Sequence, residues 1–115
     1  TLSYAPYFPA LLKTRAEQLV LEFAGRELSE VDLWKQYGEG RELGAGVIDV
    51  KGFNQDTAED VAARIRRVLQ VCPAEKLTVN PDCGFGWSPR YMCNQKLTAL
   101  AGGAALVRTD LVGKR

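Results

Sequence analysis

Three short apolar runs alternate along the chain with segments whose apolar residues recur at helical spacing. Leu19-Val20-Leu21, followed by Glu22-Phe23, is short and partly β-branched, and it reads as a buried strand broken by Gly25. Leu43 to Val50 forms a second strand, with Val47, Ile48 and Val50 as its apolar part, and Leu77-Thr78-Val79-Asn80 forms a third. Between them lie the helices. Pro6 and Pro9 punctuate the start, and Ala10 to Gln18 predicts a short helix. Ser29 is placed to cap a helix carrying Val31, Leu33, Trp34 and Tyr37 mostly on one side, with Gly38 and Gly40 ending it. Thr57 and Asp60 resemble a capping box with Asp in place of Glu. They open a helix to about Gln70 whose apolar residues Val61, Ile65, Val68 and Leu69 fall at three- and four-residue steps. Arg64, Arg66 and Arg67 face mostly outward, and Pro73 stops the helix. A last helix is predicted from about Pro89 to Leu106, with Met92, Leu97, Leu100 and Ala104 on its apolar face.

Helices between successive strands imply parallel pairing through right-handed crossovers, hence an α/β fold. Three strands leave two open edges, and parallel sheets are normally covered on both faces. An independent three-layer domain satisfies the pattern less well than a segment of a (β/α)8 barrel, whose further strands would cover both edges. The length of 115 residues fits one compact domain, and 15 basic against 14 acidic side chains give no electrostatic reason for nucleic acid or an anionic membrane as partner. No signal peptide is recognisable and no apolar run approaches the ~20 residues that cross a bilayer. A start at Thr1 rather than a methionine leads us to expect that the natural N-terminus is missing. Three cysteines without compact disulfide spacing suggest reduced thiols in a cytoplasmic protein. With no histidine, histidine-assisted serine or cysteine hydrolysis cannot be completed within the chain.

Polar residues gather at the C-terminal strand ends. The first strand ends in Glu22, the second in Asp49 and Lys51, and the third in Asn80, Asp82 and Cys83. In a parallel α/β barrel these ends open on one rim, where active sites are assembled. Glu22 is either a carboxylate paired with Arg26 or another barrel-mouth cation, or a metal ligand, since zinc accepts carboxylate oxygen as well as thiolate. Asp49 and Lys51 bracket Val50 and, on a strand, would share a face. They are either a structural ion pair at the rim or catalytic groups. Cys72 and Cys93 read as small buried hydrophobes at a helix end and within a helix. Cys83 lies in a loop between Asp82 and Gly84, and only that setting separates it from the other two. Spacing alone makes Glu22 and Cys83 a weak zinc signal, for there is no Cys-x-x-Cys. Trp87, Arg90 and Tyr91 are either a lid over the pocket or ordinary packing at the start of the last helix.

Leu19-Val20-Leu21-Glu22, Gly44-Ala45-Gly46-Val47-Ile48-Asp49-Val50 and Val79-Asn80-Pro81-Asp82-Cys83-Gly84, in this order and spacing, resemble the catalytic C-terminal barrel of cobalamin-independent methionine synthase. The resemblance covers nearly the whole chain, and Asn-Pro-Asp-Cys-Gly is its most specific element. It implies that residues 1–115 are about the last three βα units of an eight-stranded barrel. It also implies a Zn2+ site made by an upstream His-x-Cys pair, a glutamate corresponding to Glu22, and a final cysteine corresponding to Cys83. On that basis the piece alone holds half a metal site and should be inactive. The implied reaction is transfer of a methyl group to the thiol of homocysteine, with methylfolate or a methyl-corrinoid protein as donor. Asp49 and Lys51 would orient substrate or supply a proton. One position departs from the pattern: Lys51 stands where the family leads one to expect a histidine. That points towards shorter relatives that resemble the catalytic barrel alone and take methyl groups from other donors. Close cousins of the family include zinc enzymes that alkylate coenzyme M, such as epoxyalkane:coenzyme M transferase. Uroporphyrinogen decarboxylase has a related barrel without the zinc cysteine. A truncated, non-catalytic reading frame is the alternative from another class.

Overall fold

The computed structural model describes residues 3–38 and 40–113; Thr1, where the sequence begins, lies outside that range. The elements run α1 (Phe8–Leu11), β1 (Gln18–Glu22), α2 (Asp32–Tyr37), β2 (Glu42–Ile48), α3 (Ala58–Leu69), β3 (Leu77–Pro81) and α4 (Arg90–Gly113). The three strands form one parallel sheet in the order β1-β2-β3. Helical crossovers between parallel neighbours produce this consecutive order, as the alternation of patterns predicted.

Each strand has two unlike faces. Leu19 and Leu21 of β1 are buried, as are Leu43, Ala45 and Val47 of β2, and Val79 of β3 packs against them. This is the helix-covered face, where Val61, Ile65 and Val68 of α3 and Ala99 and Val107 of α4 complete the core. On the other face the register sets Val20 beside Gly44 and Glu22 beside Gly46, with Thr78 and Asn80 on the far side of the two glycines. The Gln18 amide reaches across Gly44 to the Thr78 hydroxyl at 3.4 Å. Val20, an apolar residue mid-strand, is 61% exposed there. Such a face matches the inward surface of a barrel, which side chains of several strands fill together.

Four expectations need correction. The first helix is Phe8–Leu11, earlier and shorter than Ala10–Gln18, because Gln18 already belongs to β1. Ser29 caps nothing: its hydroxyl donates to the Arg26 carbonyl at 2.8 Å, and the chain turns through the left-handed residues Glu27 and Leu28 before α2. The second strand stops at Ile48 rather than Val50. The last helix continues to Gly113, well past Leu106, and it turns Met92, Lys96, Ala99, Gly103 and Val107 inward while Leu97 is exposed. Met92 is buried and Leu100 and Ala104 pack against the core as expected, so only Leu97 departs from the predicted stripe, while a lysine and a glycine that admits close approach of α3 share the inward face. The Thr57–Asp60 capping box is present with both reciprocal bonds, and α3 ends one residue before Gln70.

Candidate functional site

All four residues singled out for chemistry lie at the C-terminal end of the sheet. Glu22 is the last residue of β1, Asp49 and Lys51 follow β2, and Cys83 follows β3. The Lys51 ammonium stands 3.6 Å from a Glu22 carboxylate oxygen, so the barrel-mouth cation expected beside Glu22 is Lys51; the Arg26 guanidinium lies 4.4 Å over the Tyr4 ring. Lys51 and Cys83 line one pocket of about 330 Å3 together with Val50, Gly52, Trp87 and Met92. Cys83 is exposed, whereas Cys72 is buried and burial pushes its thiol pKa upward. That contrast suits a reactive Cys83 and an inert Cys72.

Asp49 and Lys51 do not share a strand face, because the chain bends immediately after Ile48. One Asp49 carboxylate oxygen accepts the Lys51 backbone N–H at 2.9 Å, an Asx-type turn that shapes the loop presenting Lys51. Trp87 lines the pocket but is fully exposed, and Arg90 and Tyr91 are exposed as well. Neither a closed lid nor core packing describes them.

Three polar anchors were not legible as such in the sequence. Asp82 is buried, and its carboxylate accepts the consecutive backbone N–H groups of Phe23, Ala24 and Gly25 at 3.2, 3.0 and 2.6 Å. Burial pushes its pKa above the ordinary carboxylate value; the three N–H groups pull it down without fully compensating, and the charge of Glu22 adds to the rise. Tyr4 brackets Glu22 from the other side, its hydroxyl donating to the Glu22 carbonyl at 3.0 Å and accepting the Glu22 N–H at 3.2 Å. The third anchor is a buried cluster beneath the loop that carries Lys51. Lys96, with no exposed surface, donates to Asp56 at 2.9 Å and to the Asn54 carbonyl at 3.2 Å, and Arg64 donates to the other Asp56 oxygen at 2.8 Å. A signal for Asp82 existed in Gly46, since a glycine inside a strand marks close approach of another group. For Lys96 it was the spacing of Met92, Lys96, Ala99, Gly103 and Val107.

A thiolate sulfur with a carboxylate oxygen is a donor set that zinc accepts, and the thiolate disfavours hard cations such as Mg2+ and Ca2+. Glu22 and Cys83 would supply two of the four donors a tetrahedral zinc site needs. Among the described residues no cluster of three or more His, Cys, Asp or Glu side chains is placed to hold a metal. The donor chemistry of these two residues fits zinc, and a complete site would need further ligands beyond them.

The family model described as "Cobalamin-independent synthase, Catalytic domain" matches residues 4–105. A methionine synthase of Saccharolobus solfataricus is 37% identical over 110 residues, covering 96% of this chain and 32% of that protein. The 2-hydroxypropyl-CoM lyase of Xanthobacter autotrophicus is 40% identical over 108 residues, covering 90% of this chain and 29% of its own length. The solved structure of a B12-independent methionine synthase from Shewanella sp. W3-18-1, in complex with selenomethionine, superposes with a TM-score of 0.88 at 31% identity, covering 96% of this chain and 32% of that one. This chain thus spans about a third of the length of the relatives it matches.

Proposed function

Since the chain belongs to the cobalamin-independent synthase catalytic-domain family and forms part of its (β/α)8 barrel, we propose that it supplies the last three βα units of a zinc-dependent thiol methyltransferase that converts homocysteine to methionine. The observation that carries this reading is the delivery of Glu22 and exposed Cys83 to one rim by the two outer strands, with Lys51 between them in contact with Glu22 and in the pocket of Cys83. Glu22 and Cys83 are the zinc ligands of this segment. Bound Zn2+ would hold the acceptor sulfur as a thiolate, whereas a free thiol of pKa ~8.5 is mostly protonated near neutrality.

The chain's own side chains then have distinct tasks. Cys83 contributes an electron-rich sulfur donor, exposed at the pocket it shares with Lys51. Glu22 has an alternative partner in Lys51, which makes it the more replaceable of the two ligands. Asp49 sets the turn, and Lys51 brings an ammonium to the pocket, where it orients an anionic substrate group or supplies a proton to the leaving group.

In the intact protein, Cys83→Ser is expected to lower zinc content and methyl transfer together; full zinc with normal turnover would sink the assignment. Lys51→Ala should slow turnover with zinc retained, and an unchanged rate and pH profile would make Lys51 structural only. Identity of 40% to a 2-hydroxypropyl-CoM lyase favours a second reading in which the sulfur substrate is coenzyme M. Assaying homocysteine and coenzyme M side by side as acceptors decides between the two.

A further inference from the structure

Glu22 ends β1 and Cys83 follows β3, strands that do not touch each other; β2 lies between them. Something other than direct strand pairing must set their separation. The side chain next to Cys83 reaches across that gap. Asp82 donates its own backbone N–H to the Ile48 carbonyl of β2 at 2.8 Å, while its carboxylate takes the three N–H groups that follow Glu22. One residue thereby ties together the ends of all three strands. Tyr4 closes the other side of Glu22 through that residue's N–H and carbonyl.

The sheet is built to let the carboxylate through. A Cβ on Gly46 would lie 2.3 Å from an Asp82 carboxylate oxygen and 2.8 Å from its Cα, so any side chain there would occupy the carboxylate's path. The register confirms the placement, for Gly46 pairs with Glu22 on one side and Asn80 on the other. The β2–β3 pairing then shifts between Gly46 and Ile48, which carries Pro81, and Asp82 after it, forward over the end of β2.

On the reading of Glu22 and Cys83 as zinc ligands, we propose that Asp82 is a positioning residue, a clamp through the Gly46 gap that fixes the distance between these two ligands before metal arrives. It touches neither substrate nor the reacting atoms. Its carboxylate serves as a two-oxygen acceptor for the turn after Glu22: Oδ1 takes Phe23 and Ala24, Oδ2 takes Gly25. Asparagine keeps one acceptor but turns an amide NH2 towards a backbone N–H, donor against donor.

The test uses the full-length protein and zinc itself, with affinity measured by chelator competition and the thiolate-to-metal absorption of the Co2+-substituted form as a second readout. Asp82→Asn should weaken zinc binding about 10–100-fold, the usual range for groups that orient metal ligands. It should also alter the Co2+ spectrum while leaving Cys83 reactive towards a thiol reagent in the metal-free protein. Gly46→Ala, which pushes the carboxylate aside with Asp82 intact, should move affinity in the same direction and serves if Asp82→Asn does not fold. Leu43→Ala is the control, since it opens the core without touching the rim and should lower stability with zinc affinity nearly unchanged. Wild-type affinity in the folded Asp82 and Gly46 variants, or an equal loss in Leu43→Ala, overturns the clamp. Cys83→Ser separates the two levels: unchanged affinity there removes the zinc reading and the clamp with it, whereas a loss there beside an unaffected Asp82→Asn removes the clamp alone.

Discussion

Lys96→Met removes a charge from the buried cluster under the β2–α3 loop while keeping a side chain of similar length. The Lys96 side chain has no exposed surface and that of Asp56 only 1%, so solvent does little to screen the pair. The substitution discards the 2.9 Å bond to Asp56 and the 3.2 Å bond to the Asn54 carbonyl, and it leaves Asp56 to Arg64 alone. Breaking one partner out of a buried ion pair typically costs ~3–5 kcal/mol, mainly because the other charge stays behind in a low dielectric. Arg64 still neutralises Asp56 here, which places Lys96→Met near ~3 kcal/mol. Asp56→Asn strands a fully buried ammonium and belongs at the upper end, near ~5 kcal/mol. The double variant strands only Arg64, whose side chain is 25% exposed and can find water, so its cost should fall well below the sum of the two single changes. Urea unfolding of the intact protein, followed by circular dichroism and compared at constant slope, measures all three. A loss under ~1 kcal/mol for Lys96→Met, against the ~3 expected, or strict additivity in the double variant, would refute the view that the cluster is a coupled buried pair.

The same cluster carries a pH signature. Burial works against the charge on Asp56, but Lys96 and Arg64 together outweigh it and hold its pKa below the ordinary carboxylate value. A depressed native pKa contributes stability that is present above ~4, the unfolded value, and is lost as pH falls through the native one. Acid titration of the unfolding midpoint should therefore show a limb below pH ~4 that shrinks in Asp56→Asn; an unchanged limb assigns it to other carboxylates. Gly103→Ala would set a Cβ 2.6 Å from Val61 and 3.0 Å from the Ala58 carbonyl, and overpacking where α4 crosses α3 should cost ~1–3 kcal/mol in the same urea assay, with a neutral result contradicting the close approach. Thr57→Ala removes the hydroxyl that accepts the Asp60 N–H at 3.0 Å and should cost ~1 kcal/mol, with Thr57→Ser restoring most of it; equal losses in both would point to packing rather than capping.

The elements that were legible are those whose signal is local. A capping box is a four-residue device, and Thr57 to Asp60 forms it as written. A short apolar run between breakers specifies a strand, and the starts of β1, β2 and β3 fall within a residue of the expected ones. The readings that failed depend on partners distant in sequence. Ser29 has the right chemistry for a cap, yet its hydroxyl is taken by Arg26 because the preceding turn adopts left-handed backbone at Glu27 and Leu28. Lys96 faces inward because Asp56, 40 positions earlier, waits there as its counter-charge. Asp49 and Lys51 were legible as rim residues but not in their geometry, since the bend at the end of β2 is reinforced by the bond between those two residues themselves.

The two faces of the sheet explain why the rim positions could be read while their supports could not. On the helix-covered face each strand position is decided by apolar contact, and hydropathy reports it directly. On the inward face the same alternation delivers Gln18, Val20 and Glu22, then Gly44 and Gly46, then Thr78 and Asn80, a set that is polar or small apart from Val20 and that hydropathy would largely assign to solvent. What distinguishes this face from a solvated one is the pair of glycines in the central strand. A water-facing strand gains nothing from them and loses backbone order by having them. Here a Cβ at Gly44 would press within 2.9 Å of Val20 and 3.1 Å of the Asn80 amide oxygen, and one at Gly46 would collide with Asp82. The glycines thus record that side chains of the outer strands meet over the middle one, as they do inside a closed barrel. Reading small residues as imprints of their neighbours, rather than as gaps in a pattern, finds the link that Asp82 makes between the strand ends carrying Glu22 and Cys83.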